Sequence, residues 1–235
     1  MNEKEKNASI EFILDKGLVV PPTLWERVTK MHRVLGWKFI FWDFSYSMIF
    51  VAITLLGIVL LFDRAPMEYI YSVAVGFSPM LFLSIMFFAE VNERACGLYE
   101  LKQTCLFTSR QITALRCMYY SLAGVAFAIV VTAFAAENIA QFFRILPLCL
   151  GGLFLCATIG LSAIRISRSK WAVAVFSVTW TFINLVLPFT FGQSWETLLS
   201  TLPLVFTIAF AIAVAAAFIY QTNKMLTEEK QYAYA

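Results

Sequence analysis

Long runs of apolar residues alternate with short polar segments along most of this chain. Six runs hold 20 to 24 residues each, and a helix needs about 20 apolar residues to cross the hydrocarbon core of a bilayer. The pattern predicts six transmembrane helices, at residues 39–62, 69–89, 117–136, 145–164, 171–191 and 200–219. We therefore expect an all-α, polytopic membrane protein.

Composition excludes the main alternatives to a membrane protein. Apolar residues make up 60% of the 235 residues and charged residues 14%, whereas soluble domains are about half apolar and a quarter charged. A soluble globule of this size has too little interior for so much hydrocarbon. A disordered chain has the opposite composition, rich in charge and poor in aromatic residues. The chain is therefore expected to be organised as a series of transmembrane helices and not as soluble domains.

Basic residues predict the orientation of the six crossings. An even number of crossings places both termini on one side, together with the segments 90–116 and 165–170. These termini and segments hold 16 Lys or Arg residues, against Arg64 and Arg144 on the other side. Because positively charged segments stay in the cytoplasm, we expect both termini to be cytoplasmic. The predicted location is the bacterial cytoplasmic (plasma) membrane.

The first 38 residues contain an amphipathic segment. Thr23 and Glu26 form a capping box, which predicts that a helix starts there. The apolar residues that follow recur at spacings of 4, 3 and 4 and share one face: Leu24, Val28, Met31 and Leu35. With basic residues on its other faces, such a helix is typical of the bilayer interface, although packing on the protein fits the same pattern. The predicted parts are thus a cytoplasmic segment with this interface helix at 1–38, a transmembrane domain at 39–219 and a cytoplasmic tail at 220–235.

Groups able to do chemistry are sparse in the predicted crossings. Asp43 is the one Asp, Glu, Lys, Arg or His residue in them, and its place at a helix start is explained by the helix dipole. The sequence has no P-loop motif for ATP and a single His. We therefore expect no ATPase site, no metal site and no enzymatic activity in this chain. The five cysteines form no C-x-x-C pair and are expected to be free thiols, those in apolar runs buried.

The fifth apolar run carries a polar face. Ser177, Thr181 and Asn184 recur at spacings of 4 and 3, which places them on one side of a helix. Such residues either make hydrogen bonds between helices, which is their ordinary use in lipid, or line a path for a partly polar substrate. The sequence leaves both interpretations open.

Prolines and glycines mark special points within the apolar runs. Four prolines are expected to kink helices or to end them early: Pro79, Pro147, Pro188 and Pro203. Three glycines of the fourth run are expected to allow close approach of neighbouring helices: Gly151, Gly152 and Gly160.

The cytoplasmic segment 90–116 is the most specific feature of the sequence. Its first half is a charged, helical stretch. Its second half restarts at Thr108, where Gln111 completes another capping box. The pattern predicts two helical pieces joined by a tight bend. The candidate partner-binding residues of this segment are Glu93, Arg94, Gly97, Glu100, Leu101, Ser109, Arg110 and Arg116.

This segment and the predicted topology resemble the permease subunits of type-2 ABC exporters. In that family an interface helix precedes six crossings, and the loop between helices 2 and 3 reads as an acidic residue, Gly, Glu-Leu, and Ser followed by a basic residue. The resemblance implies that segment 90–116 docks on a separate ABC-type ATPase subunit, which binds the ATP. It also implies that two permease chains, identical or different, pair in the membrane. Leu98 and Phe107 depart from the family pattern, where Thr and Pro are common.

The function implied by this resemblance is a permease that forms the export path for an amphipathic or lipid-like substrate, such as an antimicrobial peptide. An alternative is a non-transporting membrane protein (a sensor, an immunity factor or a scaffold) that holds a cytoplasmic partner through the same loop. A secondary carrier is a third interpretation, which the lack of charge within the crossings disfavours. We expect the lipid bilayer, and no nucleic acid, among the partners of the chain.

Overall fold

The computed structural model describes residues 24–40, 69–95, 109–166 and 172–227. Every element in these ranges is an α-helix, which confirms the all-α fold class. In chain order they are α1 (Leu24–Ile40), α2 (Ile70–Phe77), α3 (Met80–Ala95), α4 (Ser109–Ala135), α5 (Ile139–Ile166), α6 (Ala172–Phe191), α7 (Gln193–Thr201) and α8 (Leu204–Thr227). The chain forms two compact units, Met1–Gly36 and Trp37–Ala235.

Helix α1 has the amphipathic character that the sequence predicts. It begins at Leu24, directly after the position of the predicted cap. Val28 and Met31 are buried, whereas Arg33 is exposed. Gly36 has a φ of 70° and kinks the helix, in a left-handed conformation that glycine adopts without strain. A position of this helix in the bilayer interface stays a prediction.

Four spans within the described residues are long and apolar enough to cross a membrane: Ile70–Phe87, Gln111–Ala135, Ile139–Ala163 and Leu204–Leu226. They correspond to the second, third, fourth and sixth predicted crossings. Helix α6 occupies the place of the fifth, with a shorter apolar section at Ala174–Asn184. The first predicted crossing, 39–62, lies outside the described residues except for its first two positions. The helices thus indicate a multi-pass membrane protein, while the total of six crossings stays a prediction.

The outward faces of the helices agree with insertion into a bilayer. Along α8, Val205, Ile212 and Ile219 are 80%, 64% and 59% exposed. These three side chains lie seven residues apart and so share one side of the helix. A soluble protein rarely leaves a long apolar face in water, so lipid is the natural neighbour of this side of α8.

Helix α5 lies at the centre of the second unit. It packs against α2, α4, α6 and α8, and its inward side chains have no exposed surface: Cys149, Leu153, Cys156 and Leu161. Two glycines of α5 allow the neighbouring helices α6 and α8 to approach closely. A Cβ atom on Gly160 would lie 3.0 Å from the Phe176 ring, and one on Gly151 would lie 3.1 Å from the Phe210 ring. The predicted role of these glycines in close helix approach is confirmed.

Two of the four predicted prolines, Pro79 and Pro203, interrupt helices. Pro79 divides the second crossing, because α2 ends just before it and α3 begins just after it. At the same point the Ser78 hydroxyl donates a hydrogen bond to the Cys149 carbonyl oxygen of α5 over 2.9 Å. Pro203 separates α7 from α8. Pro147 lies inside α5 and Pro188 inside α6, so neither of them ends its helix.

Two segments that separate predicted crossings, 137–144 and 192–199, are largely helical, so the predicted ends of those crossings are wrong. Helix α5 begins at Ile139 and includes Arg144. Residues 193–199 form most of α7. Counting apolar residues locates the part of a helix that lies in lipid, whereas a helix continues into water until capping or a turn ends it.

Candidate functional site

The structure describes both flanks of the predicted partner-binding segment. Helix α3 runs towards it and helix α4 leaves it, in agreement with two helical pieces. Five predicted residues lie on these helices: Glu93, Arg94, Ser109, Arg110 and Arg116. Three lie outside the described residues: Gly97, Glu100 and Leu101. Docking on a partner stays a prediction.

The start of α4 is bonded to the end of α8. Gln111 Nε2 donates a hydrogen bond to the Leu226 carbonyl oxygen over 3.1 Å. Ile112 and Leu115 are buried beside this bond in the same turns of α4, and Arg116 is buried as well. The side chain of Arg116 therefore belongs to the interior of the bundle at this end. The first turns of α4 therefore meet the bundle where α8 ends.

A narrow cleft lies between α3, α4, α5 and α6. Its lining includes Phe82, Leu83, Met86, Cys117, Phe176 and Ser177. The free space among these side chains is about that of one water molecule, far below the roughly 300–1,000 Å³ of pockets for drug-sized ligands. In this conformation the cleft is therefore closed.

Ser177 supplies the one hydroxyl among the residues that line the cleft. Its side chain is 8% exposed, and its Oγ atom has no hydrogen-bond partner. The Trp180 indole Nε1, one turn further along α6, is also buried without a partner. A buried hydrogen-bond donor without an acceptor lowers the stability of the fold by about 1–3 kcal/mol. An acceptor that reaches Ser177 or Trp180 would remove this cost.

The other two polar residues predicted on this face have partners. Thr181 Oγ1 lies 3.9 Å from Met80 Sδ on α3, so this position contacts a neighbouring helix. Asn184 Nδ2 donates to the Trp180 carbonyl oxygen of its own helix over 2.9 Å. The predicted face is thus divided: Ser177 lines the cleft, Thr181 lies between helices, and Asn184 is bonded locally.

Two sulfur atoms join the walls of the cleft. Cys117 Sγ on α4 lies 3.4 Å from Met86 Sδ on α3. Neither residue stands out in the sequence, because methionine and cysteine are ordinary fillers of apolar interiors. The described cysteines are free and buried, as predicted: Cys117, Cys149 and Cys156.

A buried carboxylate lies at the end of the bundle opposite the loop. Glu196 of α7 is 9% exposed and accepts hydrogen bonds from the backbone N–H groups of Tyr71 and Ser72, over 2.6 and 2.9 Å. These N–H groups belong to the first turn of α2, where a helix has no internal acceptors for them and where negative charge is favourable. Hydropathy places Glu196 in a loop, yet the sequence does offer a signal. It is the one acidic residue between positions 138 and 227.

No group of three or more His, Cys, Asp or Glu residues that could hold a metal ion occurs in the described ranges. Comparison with protein-family models, with curated proteins and with solved structures finds no match for this chain. The fold and the site together define a multi-pass helical membrane protein with a cleft between the helices that flank a charged loop.

Proposed function

We propose that this chain is the permease subunit of an exporter that takes its energy from a separate ABC-type ATPase. One structural relationship carries the proposal. The helices that enter and leave the loop, α3 and α4, are the same helices that meet in the cleft through Met86 and Cys117. A displacement of the loop therefore displaces two walls of the cleft.

The distances suit mechanical coupling. Met86 precedes the end of α3 at Ala95 by nine residues, and Cys117 follows the start of α4 at Ser109 by eight. At a rise of about 1.5 Å per residue, the loop ends of both helices lie about 12–14 Å from the cleft. In the proposed cycle each of these helix segments moves as a rigid body, so a displacement of the loop is transmitted directly to the cleft.

In the proposed cycle the partner ATPase binds ATP at the cytoplasmic side and moves the docked loop, and the cleft changes its access from one side to the other. A second permease chain, identical or different, completes the path. This chain itself binds no ATP. The apolar lining with a single hydroxyl favours an amphipathic or lipid-like cargo, since a charged cargo would need a compensating charge in the lining.

The proposed orientation places the loop in the cytoplasm, with both termini on the same side. Among the described helices, the last turns of α5 and α8 carry Arg165 and Lys224 at the loop end of the bundle. Arg144 lies near the start of α5, at the opposite end. This bias supports a cytoplasmic loop end in the bacterial cytoplasmic membrane.

Co-purification tests the proposal. The tagged full-length chain, extracted from its native membrane in mild detergent, should retain an ATPase whose ATP turnover persists in nanodiscs. Glu93→Lys and Glu100→Lys should each weaken partner binding about tenfold, which corresponds to about 1.4 kcal/mol. Arg144→Gln, at the opposite end of the bundle, is the matched control and should change nothing.

Two outcomes would contradict the proposal. A bound partner without ATP hydrolysis would make the chain a scaffold or sensor instead. Solute transport by the purified chain alone, under an ion gradient, would make it a secondary carrier.

A further inference from the structure

The amphipathic helix α1 does not leave its apolar stripe open. Val28 and Met31, at the centre of the predicted stripe, are 4% and 3% exposed, so the protein itself covers them. A helix that enters the bilayer interface through its apolar stripe needs that stripe free for lipid. Contact of α1 with a membrane must therefore use another face.

The opposite face of α1 is exposed and basic. Trp25, Thr29 and Arg33 follow one another at intervals of four residues and so share one side of the helix. Lys30 extends this side, and all four side chains are exposed, Trp25 to 71%. The Thr29 hydroxyl donates to the Trp25 carbonyl oxygen over 2.8 Å, so it is satisfied within the helix. This basic face (Trp25, Thr29, Lys30 and Arg33) thus presents one large aromatic ring and two positive charges.

The charge of α1 indicates an anionic partner. Its sequence contains Glu26 as the one acidic residue and four basic residues: Arg27, Lys30, Arg33 and Lys38. Clusters of about four to eight basic residues beside a transmembrane segment bind anionic lipid headgroups. Tryptophan favours the same depth, because its ring is apolar while its N–H reaches water. Charge and aromatic character therefore both favour the headgroup layer of a membrane.

The place of α1 in the chain brings the basic face close to the bilayer. Arg33 lies six residues before position 39, where the first predicted crossing begins, or about 9 Å along a helix. Between them Gly36 has φ 70° and ψ 158°, a conformation that is essentially restricted to glycine. The chain therefore changes direction between the basic face and the predicted crossing.

We propose that the basic face of α1 binds the phosphate headgroups of anionic phospholipids, in the leaflet where the first predicted crossing begins. Lys30 and Arg33 contact the phosphates, and the Trp25 ring lies at the level of the ester groups. The inference goes beyond the proposed function, because the binding of lipid headgroups requires no ATPase.

Photo-crosslinking in nanodiscs tests this face. The full-length chain is reconstituted with phosphatidylglycerol or with phosphatidylcholine, each carrying a diazirine near the headgroup, and cross-linked residues are mapped by mass spectrometry. Phosphatidylglycerol should label the basic face at least about fivefold more than phosphatidylcholine does, and Val28 and Met31 should stay unlabelled. Salt at about 1 M should abolish the preference, because the Debye length then falls to about 3 Å.

Substitutions separate charge from mere proximity. Lys30→Gln and Arg33→Gln should each lower labelling by phosphatidylglycerol about fivefold, the factor that one basic residue contributes near an anionic surface. Lys224→Gln removes an exposed charge from the last turn of α8; as the matched control it should leave the labelling of α1 unchanged.

Three results would overturn the proposal. Equal labelling by the two lipids would show that the charges do not select the lipid. Labels on Val28 and Met31 would show that the apolar stripe is the face in lipid. A co-purified protein that shields the basic face would show that its partner is a protein and not a membrane.

The two proposals fail separately. Selective labelling by phosphatidylglycerol in a chain that retains no ATPase supports the binding of lipid headgroups and contradicts the exporter. A chain with a coupled ATPase whose basic face shows no preference for phosphatidylglycerol keeps the exporter and overturns the binding of lipid headgroups.

Discussion

The Glu196 carboxylate accepts hydrogen bonds from both the hydroxyl and the backbone N–H of Ser72, over 2.5 and 2.9 Å. The two residues are 124 positions apart in the chain. Since lipid supplies no hydrogen-bond partners, the first turn of a membrane helix needs acceptors from the protein. Glu196 provides them for α2 and so ties the connection between α6 and α8 to the start of the second crossing.

Removal of this carboxylate should destabilise the protein. We expect Glu196→Ala to lower the free energy of unfolding by about 2–3 kcal/mol, because it leaves buried N–H groups without acceptors. Glu196→Gln should cost less, since the amide oxygen still accepts one bond. Unfolding in mixed detergent micelles, followed by circular dichroism, measures both effects. Glu137→Gln alters an exposed carboxylate at the same end and should have no effect; equal losses in all three variants would refute the capping role.

Two glycines form a matched pair for a test of helix packing. A Cβ on Gly124 would lie 2.9 Å from Cδ1 of Leu153, a side chain with no exposed surface, so Leu153 must shift within the packed interior. Gly124→Ala should therefore lower stability by about 1 kcal/mol, because the overpacking cost of about 1–3 kcal/mol exceeds the gain in helix propensity. Gly76 has no atom within 4 Å of its Cβ position, so Gly76→Ala should be neutral or stabilising. The same unfolding experiment compares the two, and a reversed order would show that α4 and α5 are not closely packed here.

The bond from Gln111 to Leu226 should hold the end of α8 in place. Gln111→Ala removes the donor, and we expect trypsin to cleave after the exposed Lys224 about fivefold faster, as the loss of about 1 kcal/mol predicts. Time courses of proteolysis in nanodiscs give the rates. Gln141→Ala alters a side chain that accepts the Glu137 N–H at the opposite end and should leave cleavage at Lys224 unchanged. Equal rates in all three chains would show that the bond does not restrain α8.

Cysteine labelling tests the proposed orientation. Asn138 is exposed between α4 and α5, at the end opposite the loop. A membrane-impermeant maleimide should label Asn138→Cys in intact cells, whereas Cys96 and Cys105 of the loop should react only after permeabilisation. The unchanged chain shows the background from native thiols. Labelling of the loop cysteines in intact cells would place the loop outside and exclude an intracellular ATPase partner.

Hydropathy and capping patterns predict a large part of the described fold. Four predicted crossings coincide with four helical spans, since a run of about 20 apolar residues has few alternatives to a transmembrane helix. The starts of α1 at Leu24 and of α4 at Ser109 follow the predicted capping boxes. Local sequence suffices for these features because capping depends on neighbouring residues only.

Contacts between segments that are distant in the chain cannot be predicted from hydropathy and capping patterns. Spacing places Asn184 beside Ser177, but it cannot show that the Asn184 amide bonds to the Trp180 carbonyl within the same helix. The meeting of Met86 with Cys117 depends on how α3 packs against α4, and the role of Glu196 depends on where α7 lies. These relationships arise from the tertiary arrangement, for which the sequence offers composition and spacing alone.

The interruption at Ser78 and Pro79 falls midway along the span Ile70–Phe87. The segment before it is capped by Glu196, and the segment after it continues to the loop, while the Ser78 hydroxyl fastens the interruption to Cys149 of α5. The second crossing thus has a break at its midpoint, and the half farther from the loop is bonded to Glu196. In the proposed cycle, the half that continues to the loop moves together with α4, and the far end of the bundle keeps its packing throughout.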